Sequence, residues 1–279
     1  MWARLQISSK SSEGIEMAQF HKNLKPIYID NKELIRIGSI DDGGYVVPVK
    51  TVKSSSSLLS LGINDNWEFE KDFIKRSSTY VYAYDYSINS NFWISKFKKD
   101  LIKFLQLKIF KPKKLYKMFQ YIDFLLFFKI NKKNRFYLKK IGKGQNCLNL
   151  SNIIEKHFNN KNKIFLKIDI EGSEYDILDE ILVYSKSIQG IVIEFHDITK
   201  NLDTIIRFIN KLKSDLSLVH IHANNYSVKD LDKSPEAIEL TFSKKTLHSE
   251  NQVNNKEYPL QNLDFPNSKR SPDIKINFD

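Results

Sequence analysis

Short apolar runs recur along the chain, each closing on a glycine, an acid or a histidine and most followed by residues at helical spacing. Leu34-Ile-Arg-Ile-Gly38 and the segment Asp41 to Pro48 read as two short strands joined by a Gly-rich turn, with Gly43-Gly44 placed to lie over a ligand or simply to turn the chain. After a polar spacer at Ser54–Ser57, seven strands are expected. They begin at Leu58, at Thr79, at Arg135 (running to Ile141), at Ile164, at Ile188, at Leu216 and at Ala237. Helices are expected around Glu13–Asn23, after Asn64 to about Arg76, over Asn149–Phe158 with Ser151 near its start, from Ser173 to about Tyr184, and over Thr199–Lys213. Strand–helix alternation through the first five strands calls for a parallel sheet covered on both faces, and the last two strands suit an antiparallel pair. The expected organisation is an N-terminal extension with a hairpin (1–57), an α/β core (58–243) interrupted by a helical insertion (92–140), and a tail (244–279). Pro259, Pro266 and Pro272 suggest that the tail wraps over the body.

The fourth strand is where the pattern turns chemical. Ile164-Phe-Leu166 has no polar alternation, as in a strand buried on both faces, yet Asp169, Glu171 and Glu174 follow at once. So much acid cannot sit inside a strand, so the strand delivers it to an open edge. Gly172 permits a tight turn and Ser173 can cap the next helix. In parallel α/β sheets that edge is where ligands bind; a strand-to-helix turn dressed with solvated carboxylates is the other reading. Gly62 closes the first strand and Asp85 the second, a spacing that suits a nucleoside with its ribose hydroxyls on the acid. Asp169/Glu171, Glu194/His196 and His220/His222/Asn224 end three further strands, and residues two apart face the same way. Gathered in one cleft, such groups can hold a divalent metal, with Asp169, Glu194 and His222 as candidate ligands. Equally, a carboxylate-oriented histidine there can act as a base.

Composition sharpens this only in places. The 279 residues suffice for one full core, and Cys147, the single cysteine, excludes an internal disulfide and a cysteine zinc cluster. The start of the chain lacks a signal-peptide core and no run reaches membrane-spanning length, so a cytoplasmic protein is expected. The net charge of +11 is concentrated in 92–140, where lysine and arginine face only Asp100 and Asp123. Phe97, Leu101, Ile102, Phe104 and Leu105, then Tyr121 to Phe128, recur there at roughly helical spacing. Such a stretch lies on an anionic membrane surface or packs on the core with its lysines solvated. Nucleic acid is the less favoured partner, because no Asn/Asp-Pro-Pro-Tyr base-flipping loop is present.

Leu166-Lys-Ile-Asp-Ile-Glu-Gly-Ser-Glu-Tyr-Asp-Ile-Leu178 resembles the strand-four signature of the FkbM-type S-adenosylmethionine-dependent O-methyltransferases. Ser60-Leu-Gly-Ile-Asn64 with Phe69-Glu70 stands in place of the cofactor motif, and Ile193-Glu-Phe-His196 also fits. The resemblance spans about 34–243 and implies a class I (Rossmann-like) methyltransferase fold. It implies S-adenosylmethionine as cofactor, held by Ser60, Gly62, Asn64 and Asp85, and a glycan or lipid-linked glycan hydroxyl as acceptor. His196 is the expected base, with Asp169 or Glu194 orienting it and His222 the second choice. Asn64 and Asp65 stand where the family has a second glycine. A decayed methyltransferase fold, serving as a membrane-associated scaffold, is the alternative.

Overall fold

The computed structural model describes residues 17–105, 119–159, 163–226, 235–249 and 252–279. Seven strands make the central sheet: β1 Ser57–Leu61, β2 Tyr80–Tyr84, β3 Asn134–Tyr137, β4 Ile164–Ile168, β5 Ile188–His196, β6 Leu216–Ala223 and β7 Ala237–Lys244. Their order is β6-β7-β5-β4-β1-β2-β3. The pairs β4–β5, β1–β4, β1–β2 and β2–β3 are parallel, and β7 runs antiparallel to both its neighbours. This is the mostly parallel seven-strand sheet of the class I methyltransferase fold. The chain fills one half through β3 and then returns to place β4 beside β1, so the strand order reverses between those two. Ligands bind outside the carboxyl ends of strands at such a reversal.

Both faces of the sheet are covered. Every residue of β4 is buried, with Phe165 in one apolar cluster and Ile164, Leu166 and Ile168 in the other, as a period of two requires. Helices are α1 Val49–Ser54, α2 Glu68–Arg76, α3 Ser90–Leu105, α4 Gln120–Leu125, α5 Leu150–His157, α6 Leu178–Val183 and α7 Ile198–Leu212. The last shows how sequence fixes a face: Ile198, Leu202, Ile205, Phe208, Ile209 and Leu212 are buried at helical spacing. The hairpin of Leu34–Gly38 and Gly44–Pro48 is antiparallel, and its turn reaches over the sheet's carboxyl edge.

Several expectations need correction. The helix around Glu13–Asn23 lies partly outside the described residues; from Met17 the chain is a strand, Met17–Phe20, parallel to Lys275–Phe278. Its alternate burial of Ala18 and Phe20 is a two-residue period too short to stand out in sequence. The third strand does not reach Ile141. The Tyr137 carbonyl accepts from both Asp85 and Lys139 amides, which turns the chain, and Lys140–Ile141 then pairs with Cys147–Leu148. The helix expected over Asn149–Phe158 is found with Ser151 in its first turn, and Asn149 caps it by accepting from the Asn152 amide at 2.9 Å. Ser173 caps nothing, because the helix after Gly172 starts as a 3-10 turn, Ser173–Ile177, with no side-chain cap.

Of the insertion, residues 106–118 lie outside the described ones. Its C-terminal end packs on the core: Phe124, Phe127 and Phe128 are buried and pack with Trp67 and Phe136. Asp123 accepts from Trp67 Nε1 at 2.9 Å and pairs with Lys71 at 2.5 Å. In α3, by contrast, Ile94, Phe97, Leu101 and Ile102 are exposed. No helix among the described residues is long and apolar enough to cross a membrane.

Candidate active site

The first strand ends against the fourth. Gly62 has φ +80°, and a Cβ there would lie 1.7 Å from the Asp169 carbonyl oxygen, so only glycine allows β1 and β4 to cross this closely. Its amide donates to the Tyr84 carbonyl at 2.9 Å, and its carbonyl accepts from Lys167 Nζ at 2.7 Å. Two residues on, Asn64 takes φ +44°. Asparagine is among the few side chains that tolerate this left-handed region, so it stands in for the missing second glycine.

Asp85 holds the loop in place. Its Oδ2 accepts from the amides of Ile63 at 3.0 Å and Asn64 at 2.8 Å, and its Oδ1 from the amide and hydroxyl of Ser87 at 2.7 and 2.6 Å. Four donors converge on this one carboxylate, so Asp85 clamps the loop, and it also lines the cavity above it. Ser60, by contrast, does not reach that cavity. It is fully buried and donates to Glu70 Oε1 beneath the loop, where Lys167 Nζ lies 3.8 Å from the same carboxylate oxygen.

Above the loop opens a cavity of about 550 Å³, floored by Gly62, Ile63 and Asn64 and walled by Tyr86, Ile141 and Asp169. Asp41, Asp42 and Gly43 of the hairpin turn line one side, and Gly43 takes φ +82°, so the glycine pair makes the turn that requires it and brings that turn to the cavity.

At the far end the acids gather. Glu171 and Gly172 both take positive φ, at +53° and +95°, swinging the chain so that Glu174 turns back into the fold. Glu174 is fully buried and accepts from the Gly172 amide at 2.8 Å, from the His196 amide at 2.7 Å and from His196 Nδ1 at 3.0 Å. It is therefore Glu174, and neither Asp169 nor Glu194, that orients the imidazole. Nε2 is left facing Glu171 at 3.5 Å and Glu194 at 3.8 Å. Burial would lower the His196 pKa, but the hydrogen bond and charge of Glu174, then the charges of Asp169 and Glu171, carry it above the ordinary imidazole value. Burial pushes Asp169 up to about 6, with Glu171 and Asp42 adding to it against Lys167 and His196. Glu194 is raised too, by burial first and then by Asp169, Glu239 and Asp42.

His222 does not join this group. It is 1 % exposed, with Nδ1 3.0 Å from Glu239 and Nε2 3.0 Å from Asp273 of the C-terminal segment, so both nitrogens are taken. Neither a second base nor a metal ligand is available there. His220 is likewise paired with Asp264 at 3.0 Å. The antiparallel register explains this: His222 lies across from Glu239, which lies across from Glu194. Sequence could show that these strands end in polar residues, but the partners Asp264 and Asp273 sit 44 and 51 positions away in an aperiodic tail.

Residues 41–216 match the Methyltransferase FkbM domain family. The chain belongs to that family. The match begins at the hairpin turn over the cavity and takes in the Gly62 loop, Asp85, the acidic turn after β4 and His196. A search of curated proteins finds no match. Among solved structures the chain is similar to an rRNA methylase from Streptococcus thermophilus, at 10% identity and TM-score 0.37 over 70% of this chain and 90% of that one. It is also similar to precorrin-6y C5,15-methyltransferase from Geobacter metallireducens, at 7% identity and TM-score 0.35 over 70% and 84%.

Proposed function

We propose that this FkbM-family methyltransferase uses S-adenosylmethionine to methylate a hydroxyl of a glycan or lipid-linked glycan precursor. The observation that carries the reading is a cavity floored by the Gly62–Asn64 loop and lined at its other end by Asp169 and Glu171, with His196 Nε2 3.5 Å from Glu171. The residues present fit the cofactor: the cavity is of nucleoside size, the loop backbone keeps its shape through Asn64, and Ile63, Tyr86 and Ile141 offer apolar surface to a base. Bound there, S-adenosylmethionine supplies an activated methyl group. The chain's own task is to align the acceptor oxygen and take its proton. With Nδ1–H donated to Glu174, the Nε2 lone pair of His196 faces the acceptor side, and the imidazolium formed on proton uptake is stabilised by Glu174 and Glu171. The test is calorimetry with S-adenosylhomocysteine, then tritiated S-adenosylmethionine with the host's polysaccharide extract. Label in O-methyl monosaccharides after hydrolysis is expected. Absence of any binding heat would instead favour the scaffold reading, and label in RNA would replace the glycan acceptor.

A second element of the reading concerns place. Ile94, Phe97, Leu101 and Ile102 share one side of α3 with the exposed Lys98, next to the exposed Lys99. An apolar stripe edged with lysine suits the surface of an anionic bilayer, where a lipid-linked acceptor would be presented.

A further inference from the structure

A second cluster of acids lies beside His196, separate from the Glu174 that orients its ring. Asp42, Glu194 and Glu239 each offer a carboxylate oxygen, all within 4.8 Å of one another. Glu194 and Glu239 are 5 % and 4 % exposed, while Asp42 is open to solvent and also lines the cavity. Their hydrogen-bond donors are mostly neutral amides that orient without neutralising: Asn224 Nδ2 to Glu194 at 2.7 Å, and Asn267 Nδ2 to Glu239 at 2.6 Å and to Asp42 at 3.2 Å. The basic neighbours are two histidines already engaged by other acids: His222 beside Glu239 is shared with Asp273, and His196, 3.8 Å from Glu194, is held by Glu174. Among the described residues no lysine or arginine pairs with any of the three.

Tyr45 supplies the independent observation. Its side chain is 1 % exposed, its hydroxyl has no hydrogen-bond partner, and the charges it faces are Asp169, Glu194, Glu239 and Asp42. A buried hydroxyl left unpaired costs free energy, and one pointed among carboxylates calls for a missing atom that both sides can bind. A water molecule would satisfy the hydroxyl but leave the acids uncompensated; a cation does both.

We propose that Asp42, Glu194 and Glu239, with the Tyr45 hydroxyl as a neutral fourth oxygen, bind one divalent cation. An all-oxygen set selects a hard ion such as Mg²⁺, Mn²⁺ or Ca²⁺, and the asparagines serve as the outer shell that fixes the carboxylates. Entry is through Asp42. The neighbouring group Asp169, Glu171 and His196 is equally compact, but its histidine is already engaged by Glu174, and only Asp169 of that group is among the charges the Tyr45 hydroxyl faces, against all three of the other. The site stands whether or not the cavity takes S-adenosylmethionine.

The test is Mn²⁺ titration of the chelator-treated full chain, followed by the electron paramagnetic resonance signal of free Mn²⁺. One ion per chain is expected. Asp42→Asn and Glu194→Gln should each weaken uptake about tenfold or more, and Tyr45→Phe by a smaller factor, while Glu171→Gln leaves it unchanged. Asp42 is solvent-exposed, so its variant should fold, and circular dichroism checks that. No uptake up to about 1 mM Mn²⁺ would overturn the proposal. So would uptake that survives Asp42→Asn and Glu194→Gln but is lost in Glu171→Gln.

Discussion

Glu174 Oε1 lies 3.0 Å from His196 Nδ1 and 2.7 Å from the His196 backbone nitrogen, so one buried carboxylate fixes both the ring and the chain that carries it. A group held this way has one tautomer and one direction. If His196 is the base, Glu174→Gln should lower kcat about 10–100-fold while leaving S-adenosylhomocysteine affinity within about twofold. It should also move the rising limb of the pH–rate profile to lower pH, because the raising influence of Glu174 is gone. His196→Ala should cost more and abolish that limb. A Glu174→Gln profile with an unshifted limb would give the proton to another group.

The raised acids make a prediction about stability. Asp169 keeps its proton in the folded chain up to about 6, against 3.8 for the ordinary group. Between those values the unfolded chain ionises first, so stability present at low pH is lost as pH rises through the folded value. His196, raised above 6.5, has the same sign and extends the loss upward from there. Asp264 works the other way: burial would raise it, but His220 carries it below 3.8, and its contribution is complete by about pH 5. In chelator, the melting temperature should therefore fall by several degrees from pH 5 to pH 8, on the order of 2 kcal/mol. Asp169→Asn should flatten the part below about pH 6. Differential scanning calorimetry across that range decides it.

Asp85 gives a third expectation. With four donors converging on it, Asp85→Asn exchanges one acceptor oxygen for an NH₂ group aimed at other donors. The Ile63–Asn64 loop should loosen at a cost of about 1–3 kcal/mol, read from urea unfolding. S-adenosylhomocysteine affinity should drop by at least about tenfold, read by calorimetry, because a floor that no longer holds its shape must be ordered on binding. Equal affinity in variant and parent would show that the clamp is dispensable to the cavity.

How much of this was legible beforehand follows from where the information sits. The strands, their order of chemistry and the Gly62, Asp169 and His196 positions come from local patterns: buried runs, a glycine at a crossing, acids that a strand interior excludes. The roles of Asp85, Ser60 and His222 do not, because each depends on partners brought together by the fold. Ser60 meets Glu70 under the loop, and His222 meets Asp273 from a segment without periodicity. Glu174 was in plain view within the signature, but only the consecutive positive φ angles of Glu171 and Gly172 turn it inward. Tyr45, in a hairpin strand that reads as ordinary, is distinguished solely by the hydroxyl left without a partner.

The exposed side of α3 sets the last expectation. Phe97 is 60 % and Ile102 54 % exposed, so replacing both by glutamate removes apolar surface and adds like charge toward an anionic bilayer without touching the core. If α3 lies on membrane, flotation with vesicles containing phosphatidylserine should recover the parent chain and lose most of the Phe97→Glu/Ile102→Glu variant. Each exposed apolar side chain inserted is worth about 1.5–3 kcal/mol at full burial, so the loss should be well above tenfold. Removing the whole insertion is the poorer experiment, since Phe124, Phe127 and Phe128 belong to the core and their loss would unfold the β3 edge. Equal flotation of parent and double variant would leave α3 a solvated helix and place the acceptor in solution.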